Sequence, residues 1–386
     1  MTESLHKQVV EAFERAFGRA PAVVARAPGR LEVLGNHTDY NEGYVISCAI
    51  DRATWFAAAP LPGREAVVRL AADGREERFH LDQLASPVRG EWANYVKGIV
   101  VEFQRRKLPE GGFQACLIGD VPLSAGMSSS AALEMATALA LGALNRIELP
   151  KPEWARIGQA CENNYVGAKT GLLDQFTSLM GQAGQLVYID FRTLDVANVP
   201  VPPGAVFVVA NSGVKHDLTI EYNERRQRCE EAAAALARRY PGVRTLRDVT
   251  DAQLDAAKGE MDIMAWRRAK HIVGEDERVQ AGRQALAAGD LAAFGRLLSA
   301  SHESSITYFE NSCPELDILV ATAHALPGCY GARLSGGGFG GISIHLVACD
   351  QAESFCLRLA TAWQSRTGAT LSRMICTIGE GARLYV

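Results

Sequence analysis

Residues 122–132 read PLSAGMSSSAA and lead directly into an apolar run from Ala131 to Leu144. A loop of small residues that opens into a helix leaves backbone N–H groups and the positive end of the helix dipole free to bind a phosphate group. No Gly-Lys-Ser/Thr sequence follows, so the stretch is not a Walker A loop. A plain serine N-cap is the alternative, but three consecutive serines exceed what a cap requires. The stretch therefore predicts a buried helix whose first turn binds an anion.

Upstream, residues 29–43 read GRLEVLGNHTDYNEG and place dense polar side chains between two apolar segments. Short strands are predicted on both sides, at residues 22–27 and 31–34 around Pro28-Gly29, and at residues 44–50. Asn, Asp and Gly are also the residues that turns demand. The residues alone therefore leave a plain loop and a binding loop equally open.

Downstream, residues 333–341 read RLSGGGFGG, with five glycines among the six residues from 336 to 341. So many glycines are costly in conformational entropy, and they are tolerated where the backbone approaches a ligand or another backbone closely. A flexible hairpin loop is the alternative. Glu162 and Asp174 lie on or after a helix predicted from about residue 153 to 165, but single carboxylates are usually solvated. Taken alone, neither carboxylate indicates a site.

Strands and helices are intermixed along the chain without the regular βαβ order of a parallel sheet, which favours an α+β fold. A length of 386 residues suggests two domains at roughly 150 residues each. The Pro-rich segment from Val199 to Gly204 is the best candidate for the boundary. We therefore predict an N-terminal domain over residues 1–200 and a C-terminal domain over residues 201–386.

The chain carries 40 Lys and Arg residues against 44 Asp and Glu residues, a net charge of −4, which provides no long-range field for nucleic acid or anionic membrane. The nine cysteines are scattered and form no C-x-x-C pair, which favours reduced thiols over disulfides or a zinc site. Residues 1–20 lack the apolar segment of a secretory signal, and residues 131–144 are too short to span a bilayer. We expect a monomeric cytoplasmic protein that binds neither nucleic acid nor membrane.

In this order and at these separations, the three motifs resemble those of the GHMP small-molecule kinases, and within them the galactokinases. The segment GNHTDYN at residues 35–41 resembles the galactokinase signature, while residues 122–132 and 335–341 resemble the second and third GHMP motifs. Further stretches that agree are residues 161–167, 171–176, 211–215 and 221–223. The resemblance spans nearly the whole chain, and its first motif is specific to the galactokinase branch.

The resemblance implies a two-domain GHMP kinase fold, with an N-terminal α+β domain, a ferredoxin-like C-terminal domain and the active site in the cleft between them. It implies an ATP-dependent kinase that phosphorylates D-galactose to galactose 1-phosphate, with ATP and Mg²⁺ as cofactors. Kinases of galacturonate, L-arabinose or N-acetylgalactosamine are the nearest alternatives. A non-catalytic regulator that binds galactose and ATP is a further alternative, although the serine motif that such sensors have partly lost is complete here.

The same resemblance assigns roles to individual residues. Arg30 and Asp174 are expected to form the catalytic pair. The residues expected to face the sugar are Asn36, His37, Asp39, Gly171 and Tyr222. The residues expected to surround the nucleotide are Ser124, Ala125, Gly126, Met127, Ser128, Ser129, Ser130, Gly337 and Gly338. Ser130 and Glu162 are expected to hold Mg²⁺, because hard oxygen ligands suit this ion.

One position departs from the galactokinase pattern. Galactokinases carry glutamate where this chain has Asn36, so a charged acceptor becomes an amide that both accepts and donates hydrogen bonds. We expect galactose still to bind, with the C6 end of the sugar recognised differently. The alternative is that Asn36 is a turn residue that points away from the sugar.

Overall fold

A computed structural model describes residues 2–84, 86–123, 126–168, 170–214 and 219–385. The strands are β1 Val23–Leu34, β2 Tyr44–Pro60, β3 Glu65–Leu70, β4 Glu76–His80, β5 Phe113–Gly119, β6 Gln185–Asp190, β7 Asp195–Pro200, β8 Ala205–Asn211, β9 Cys329–Ser335, β10 Ile342–Ala348, β11 Ser372–Cys376 and β12 Arg383–Tyr385. The helices are α1 Thr2–Phe17, α2 Asn94–Arg105, α3 Ser129–Leu144, α4 Lys151–Cys161, α5 Leu173–Met180, α6 Thr219–Arg239, α7 Asp251–Ala256, α8 Ile263–Ala287, α9 Leu291–Ser304, α10 Pro314–His324 and α11 Ala352–Thr367. The predicted α+β class is confirmed.

The first sheet has the strand order β12-β1-β2-β5-β3-β4, and β6 and β7 extend it from β2. Its pairs are antiparallel except β3 with β5. Apolar residues of α2, α3, α4 and α5 pack against one face of this sheet. On the other face, Val9 and Phe13 of the amphipathic helix α1 pack with Val24 and Trp55. The sheet is therefore covered on both faces, which explains why β1 is buried along its whole length.

The second sheet has the order β11-β8-β10-β9, and every pair in it is antiparallel. Numbered along the chain, its strands lie in the order fourth, first, third, second, which is the ferredoxin-like arrangement. Helix α10 precedes β9, helix α11 joins β10 to β11, and both pack against this sheet. The ferredoxin-like prediction is confirmed. None of the helices in the described ranges has the length and apolar character that crossing a bilayer requires.

Strand β1 is continuous, although Pro28-Gly29 predicted two separate strands. A bulge between Pro28 and Arg30 shifts the register with β2 at this point, and the strand continues beyond it. Glycine is required at position 29, because a Cβ atom there would lie 2.5 Å from the backbone oxygen of Met127. That same oxygen accepts a hydrogen bond from the backbone N–H of Arg30 at 3.0 Å. The bulge thus joins the polar part of β1 directly to the segment before α3.

Other predicted elements differ in their bounds. Helix α4 ends at Cys161 and continues as a single π-helical turn over Glu162–Val166, a form that often occurs at functional positions. Val199 and Pro200 do not lie in a linker but end β7, which pairs with β6. Strand β12 returns from the far end of the chain to pair with β1. The domain boundary near residue 200 stays a prediction.

Candidate active site

A cavity of about 290 Å³ lies where four separate parts of the chain meet. They are the end of β1 with the loop after it, the loop leading into α5, the first turns of α6, and the glycine-rich loop after β9. The lining residues are Arg30, Glu32, His37, Asp39, Ala168, Thr170, Gly171, Leu173, Asp174, Tyr222, Asn223 and Gly337. The cavity therefore lies between elements of the first sheet and elements of the C-terminal half, as the predicted fold requires.

Arg30 and Asp174 form an ion pair at this cavity. Nε and Nη2 of Arg30 each lie 2.8 Å from Oδ1 of Asp174. Nη1 of Arg30 donates to the backbone oxygen of Gly126 at 2.6 Å, and the hydroxyl of Ser128 donates to Oδ2 of Asp174. Both carboxylate oxygens are thus held by protein donors, and the pair is tied to the segment before α3. Asp174, which taken alone did not indicate a site, is thus an ion-paired carboxylate at the cavity.

The backbone of Ser128, whose hydroxyl contacts Asp174, is in a strained conformation. Its φ of 55° lies in the left-handed region, which is unfavourable for a residue with a Cβ atom. His37 shares this feature, with a φ of 61°. Residues held in such conformations cluster at binding and catalytic sites, where the surrounding structure offsets a cost of about 1–3 kcal/mol.

Asp39 and Gly171 are in direct contact at the cavity wall. A Cβ atom on Gly171 would lie 1.6 Å from Oδ2 of Asp39, so the close approach requires glycine. Burial, with a smaller contribution from the charge of Glu32, raises the pKa of Asp39 to about 7. Near neutral pH the carboxyl group of Asp39 is therefore populated in both its protonated and its ionised form. Hydroxyl groups of a ligand that donate to it would favour the ionised form.

His37 is neutral and has a defined tautomer. Burial lowers its pKa to about 4. Nε2 lies 3.1 Å from the backbone oxygen of Gly337, which can only accept, so Nε2 carries the proton. Nδ1 is then the acceptor for the hydroxyl of Tyr40 at 3.1 Å. The ring also packs against Tyr222 and Phe309, which fixes its plane at the cavity wall.

The residues predicted to face the sugar divide into two groups. His37, Asp39, Gly171 and Tyr222 line the cavity. Asn36 has an exposed fraction of 0% and does not line it, whereas Glu32, which the sequence analysis did not select, does.

The predicted nucleotide segment is described from Gly126 onward, and Ser124 and Ala125 lie outside the described residues. Ser129 and Ser130 form the start of α3, where backbone N–H groups lack helical acceptors. The side chain of Met127 is instead buried in the core between the two sheets. The geometry is therefore compatible with an anion at the first turn of α3.

The glycine-rich third motif, at residues 335–341, approaches the cavity through its backbone. Gly337 lines the cavity. Gly338 has a φ of +85°, and a Cβ atom there would lie 2.1 Å from the backbone oxygen of Asn311. The glycines thus permit a close backbone approach, which is the first of the two explanations that the sequence left open.

Glu162 is a buried carboxylate, with an exposed fraction of 4%. Its Oε2 accepts hydrogen bonds from Thr170 at 2.6 Å and from Gln175 at 3.2 Å. Burial raises its pKa, and hydrogen bonds from Thr170 and Ser130 oppose that shift. Within the described ranges, no cluster of three or more His, Cys, Asp or Glu residues is suited to a metal. Mg²⁺ in nucleotide enzymes needs only one or two protein oxygens besides phosphates, so Ser130 and Glu162 fit this ion.

One supporting carboxylate lies far away in the sequence. Oε2 of Glu275, on α8, accepts the backbone N–H groups of Gly35 at 2.9 Å and Asn36 at 2.8 Å. Arg278 and His271 help to lower the pKa of Glu275 despite its burial. Glu275 therefore holds the loop that carries His37 and Asp39. No local sequence signal distinguishes it from Asp276 and Glu277, which follow it on the same helix.

Family models match three parts of the chain. The galactokinase galactose-binding signature matches residues 11–60. The N-terminal domain of GHMP kinases matches residues 94–182, and the GHMP kinase C-terminal model matches residues 283–364. These ranges include the first sheet's cavity residues, α3 to α5, and the glycine-rich loop of the second sheet.

Relatives match nearly the full length. The chain is 41% identical over 372 residues to a galactokinase of Roseiflexus sp. (strain RS-1), covering 96% of this chain and 95% of the relative. The chain belongs to the galactokinase family. A second member, a galactokinase of Chloroflexus aurantiacus, is 42% identical over 374 residues, with 96% of this chain and 95% of the relative covered.

Solved structures agree with membership of the galactokinase family. The galactokinase of Lactococcus lactis, crystallised in complex with galactose, superposes with a TM-score of 0.92 at 32% identity, covering 97% of this chain and 98% of that one. A mevalonate kinase at 17% identity and a TM-score of 0.63 shares the fold. The GHMP kinase fold that the motifs predicted is therefore confirmed.

Proposed function

We propose that this chain is an ATP-dependent kinase that phosphorylates the anomeric hydroxyl of D-galactose, giving galactose 1-phosphate. The observation that carries the proposal is the contact between Asp174, Arg30 and the segment before α3. It joins a carboxylate at the wall of a sugar-sized cavity to the loop and helix start suited to phosphate. The full-length match to galactokinases supports the same activity.

Phosphoryl transfer requires mainly alignment and neutralisation of charge. In our proposal Asp174 accepts the proton, or a hydrogen bond, from the 1-hydroxyl group of galactose. Arg30 holds that carboxylate in position, and its guanidinium group stabilises negative charge that develops on the transferred phosphoryl group. Asp39 and Tyr222 bind the remaining hydroxyl groups of the sugar, and His37, whose two ring nitrogens are already paired, forms part of the wall of the sugar site.

Ser130 and Glu162 are the residues that we propose to hold Mg²⁺ bound to ATP. The ion supplies charge neutralisation between the phosphates. The first turn of α3 and the backbone of Gly337 and Gly338 complete the nucleotide site in this proposal. Ser130 lies close enough to Glu162 to share a hydrogen bond with its carboxylate, which supports a common ligand.

We also propose that the protein is a cytoplasmic monomer. All nine cysteines are free thiols, which suits a reducing compartment. Most exposed large apolar side chains, such as Val88, Ile263 and Leu357, come from separate parts of the described chain, which favours a monomer. Size-exclusion chromatography with light scattering tests the monomer.

A substrate panel tests the proposed reaction. ADP release should be measured with galactose, galacturonate, L-arabinose and N-acetylgalactosamine at equal concentration. We expect the highest kcat/KM with galactose. A higher value with another sugar would reassign the substrate, and ADP release with none of them would favour a non-catalytic regulator.

Glu162→Gln should raise the Mg²⁺ concentration required for half-maximal activity by about tenfold while leaving galactose affinity nearly unchanged, because an amide is a poorer ligand for a hard cation. The measurement is a magnesium titration at fixed ATP. Glu134→Gln is the matched control, since Glu134 is a buried carboxyl group whose Oε2 accepts from the same Gln175 and whose pKa is raised by burial. An unchanged magnesium curve with weakened galactose binding would instead assign Glu162 to the sugar pocket.

The KM for galactose should rise as the pH falls below about 7. The pKa of Asp39 lies near that value, and sugar hydroxyl groups donate best to the ionised carboxylate. Below the pKa, binding must therefore displace a proton, which weakens affinity by up to about tenfold per pH unit, whereas above it the affinity levels off. KM should be measured between about pH 5.5 and 8.5. Asp39→Asn should give a high and pH-independent KM, and a variant that keeps the wild-type slope would contradict this assignment.

A further inference from the structure

Asn36 is fully engaged away from the cavity. Its Nδ2 donates to Oε1 of Glu32 at 2.7 Å and to the backbone oxygen of Gly336 at 2.9 Å. Its Oδ1 accepts from Nδ2 of Asn311 at 2.9 Å. Turning the amide toward a sugar would break all of these hydrogen bonds in a buried environment, where each unpaired group is costly. Asn36 is therefore built to hold Glu32 and the glycine-rich loop.

Glu32 places a carboxylate in the wall of the cavity that we propose to bind the sugar. It lies two residues after Arg30 on a regular part of β1, so both side chains project from the same face of the strand. Both line the cavity. Their spacing of roughly 7 Å along the strand places Glu32 away from the phosphoryl-transfer end and beside the rest of the sugar.

The two oxygens of Glu32 have different surroundings. Oε1 accepts from Asn36 and from Nη2 of Arg333, at 3.2 Å. Among the residues that the structure describes, none donates a hydrogen bond to Oε2, and the Glu32 side chain lines the cavity. Arg333 is itself fixed by the backbone oxygen of Val33 at 2.9 Å. Glu32 is thus a rigidly held carboxylate with one oxygen open to the cavity.

We propose that Glu32 is a specificity-determining residue of the sugar site, whose Oε2 accepts a hydrogen bond from a galactose hydroxyl group remote from the anomeric carbon. Asn36 and Arg333 are positioning residues that orient Glu32. The inference rests on the proposed galactose 1-kinase activity. It places the carboxylate that binds the sugar at position 32, on β1, instead of at position 36, where the galactokinase pattern has glutamate. With Asp39 in the same wall, it also predicts that a uronate carboxylate is repelled.

The inference changes what substitution of Asn36 should do. Asn36→Glu places a second carboxylate within hydrogen-bond distance of Glu32, where two like charges repel each other. It should therefore weaken galactose binding rather than strengthen it. The reciprocal double variant, Glu32→Asn with Asn36→Glu, keeps one carboxylate and one amide in contact, and should recover much of the affinity.

The decisive experiment compares galactose with its 2-, 3-, 4- and 6-deoxy analogues in wild type, Glu32→Gln and a matched control. Glu102→Gln is the control, since Glu102 is a buried carboxylate paired with Arg105 and Arg106 outside the cavity. We expect Glu32→Gln to raise the KM for galactose about tenfold to hundredfold, as for loss of a hydrogen bond to a charged group, with kcat changed much less. One deoxy analogue should be poor for the wild type and for Glu102→Gln, and its penalty should largely disappear in Glu32→Gln.

A merely structural role for Glu32 would lower stability without altering the pattern among the analogues. Unchanged penalties for all four analogues in Glu32→Gln would overturn the proposal. If that variant does not fold, Glu32→Asp keeps the charge but withdraws it by one methylene group, and an unaltered penalty pattern there would overturn it equally. Wild-type turnover of galactose, measured in the same series, tests the proposed function by itself because it depends on no variant.

Discussion

Replacing Asp174 with asparagine should lower kcat by about 10²-fold or more while galactose still binds. The size of the loss is that expected when a positioned acid–base group is removed from the reacting atoms. The amide preserves the shape of the side chain but can no longer take a proton from the 1-hydroxyl group. Its ion pair with Arg30 at 2.8 Å is lost as well, so the guanidinium is no longer held by a charge. The rate of ADP release at saturating substrates gives kcat, and a calorimetric titration gives the affinity for galactose.

Asp120→Asn serves as the control for the loss of an arginine-paired aspartate. Asp120 accepts from Arg52 at 3.2 Å and does not line the cavity. This control should change kcat by less than about twofold, the range of most substitutions away from a site. Near-wild-type kcat in purified, folded Asp174→Asn would remove Asp174 from the catalytic role that we propose.

Gly171→Ala should raise the KM for galactose by about tenfold to hundredfold. The added methyl group would lie 1.6 Å from Oδ2 of Asp39, so the carboxylate must move by more than an ångström. A displacement of about 1 Å in a binding group is enough to cost on the order of 10²-fold in activity. The steric change acts on the sugar side alone, so the KM for ATP should stay nearly constant.

Gly259→Ala is the matched control, because no atom lies within 4 Å of the Cβ position at Gly259. Both variants should be compared by thermal unfolding, so that a general loss of stability is separated from displacement of Asp39. If Gly171→Ala binds galactose as the wild type does, then Asp39 does not contact the sugar through the geometry described above.

The motifs predict most of the residues that line the candidate site, but only through the family resemblance. Arg30, Asp39, Asp174 and Tyr222 come from distant parts of the sequence and all line one cavity. Nothing in their spacing indicates that they meet, because the contacts depend on the pairing of strands and the packing of helices between them. The physical chemistry of the residues supplied only the expectation of an anion site at the start of α3.

Glu32 was missed because of a specific error in the secondary structure. Pro28-Gly29 predicts a break between two short strands, and the second of these begins only at Leu31, so the pattern does not predict that Arg30 and Glu32 share one face. The structure shows a bulge instead, after which the register of β1 with β2 is regular through Glu32. A continuous strand would have placed both side chains in the same wall.

The Pro-rich segment that predicts the domain boundary begins inside a strand. Pro200 lies at the end of β7, which in the described part of the chain pairs with β6 alone. Proline is tolerated at such a position because an edge strand need not donate every backbone N–H to a neighbour. Composition alone cannot separate that case from a linker.

The pairing of β12 with β1 has a consequence for synthesis on the ribosome. Val24 is paired with Tyr385, so the two strands are joined across almost the whole chain. While the chain is being translated, the outer edge of β1 is formed long before the residues that cover it exist. Exposed strand edges are templates for pairing with other chains. During synthesis β1 therefore has an unpaired edge until residues 383–385, which pair with it, have been made.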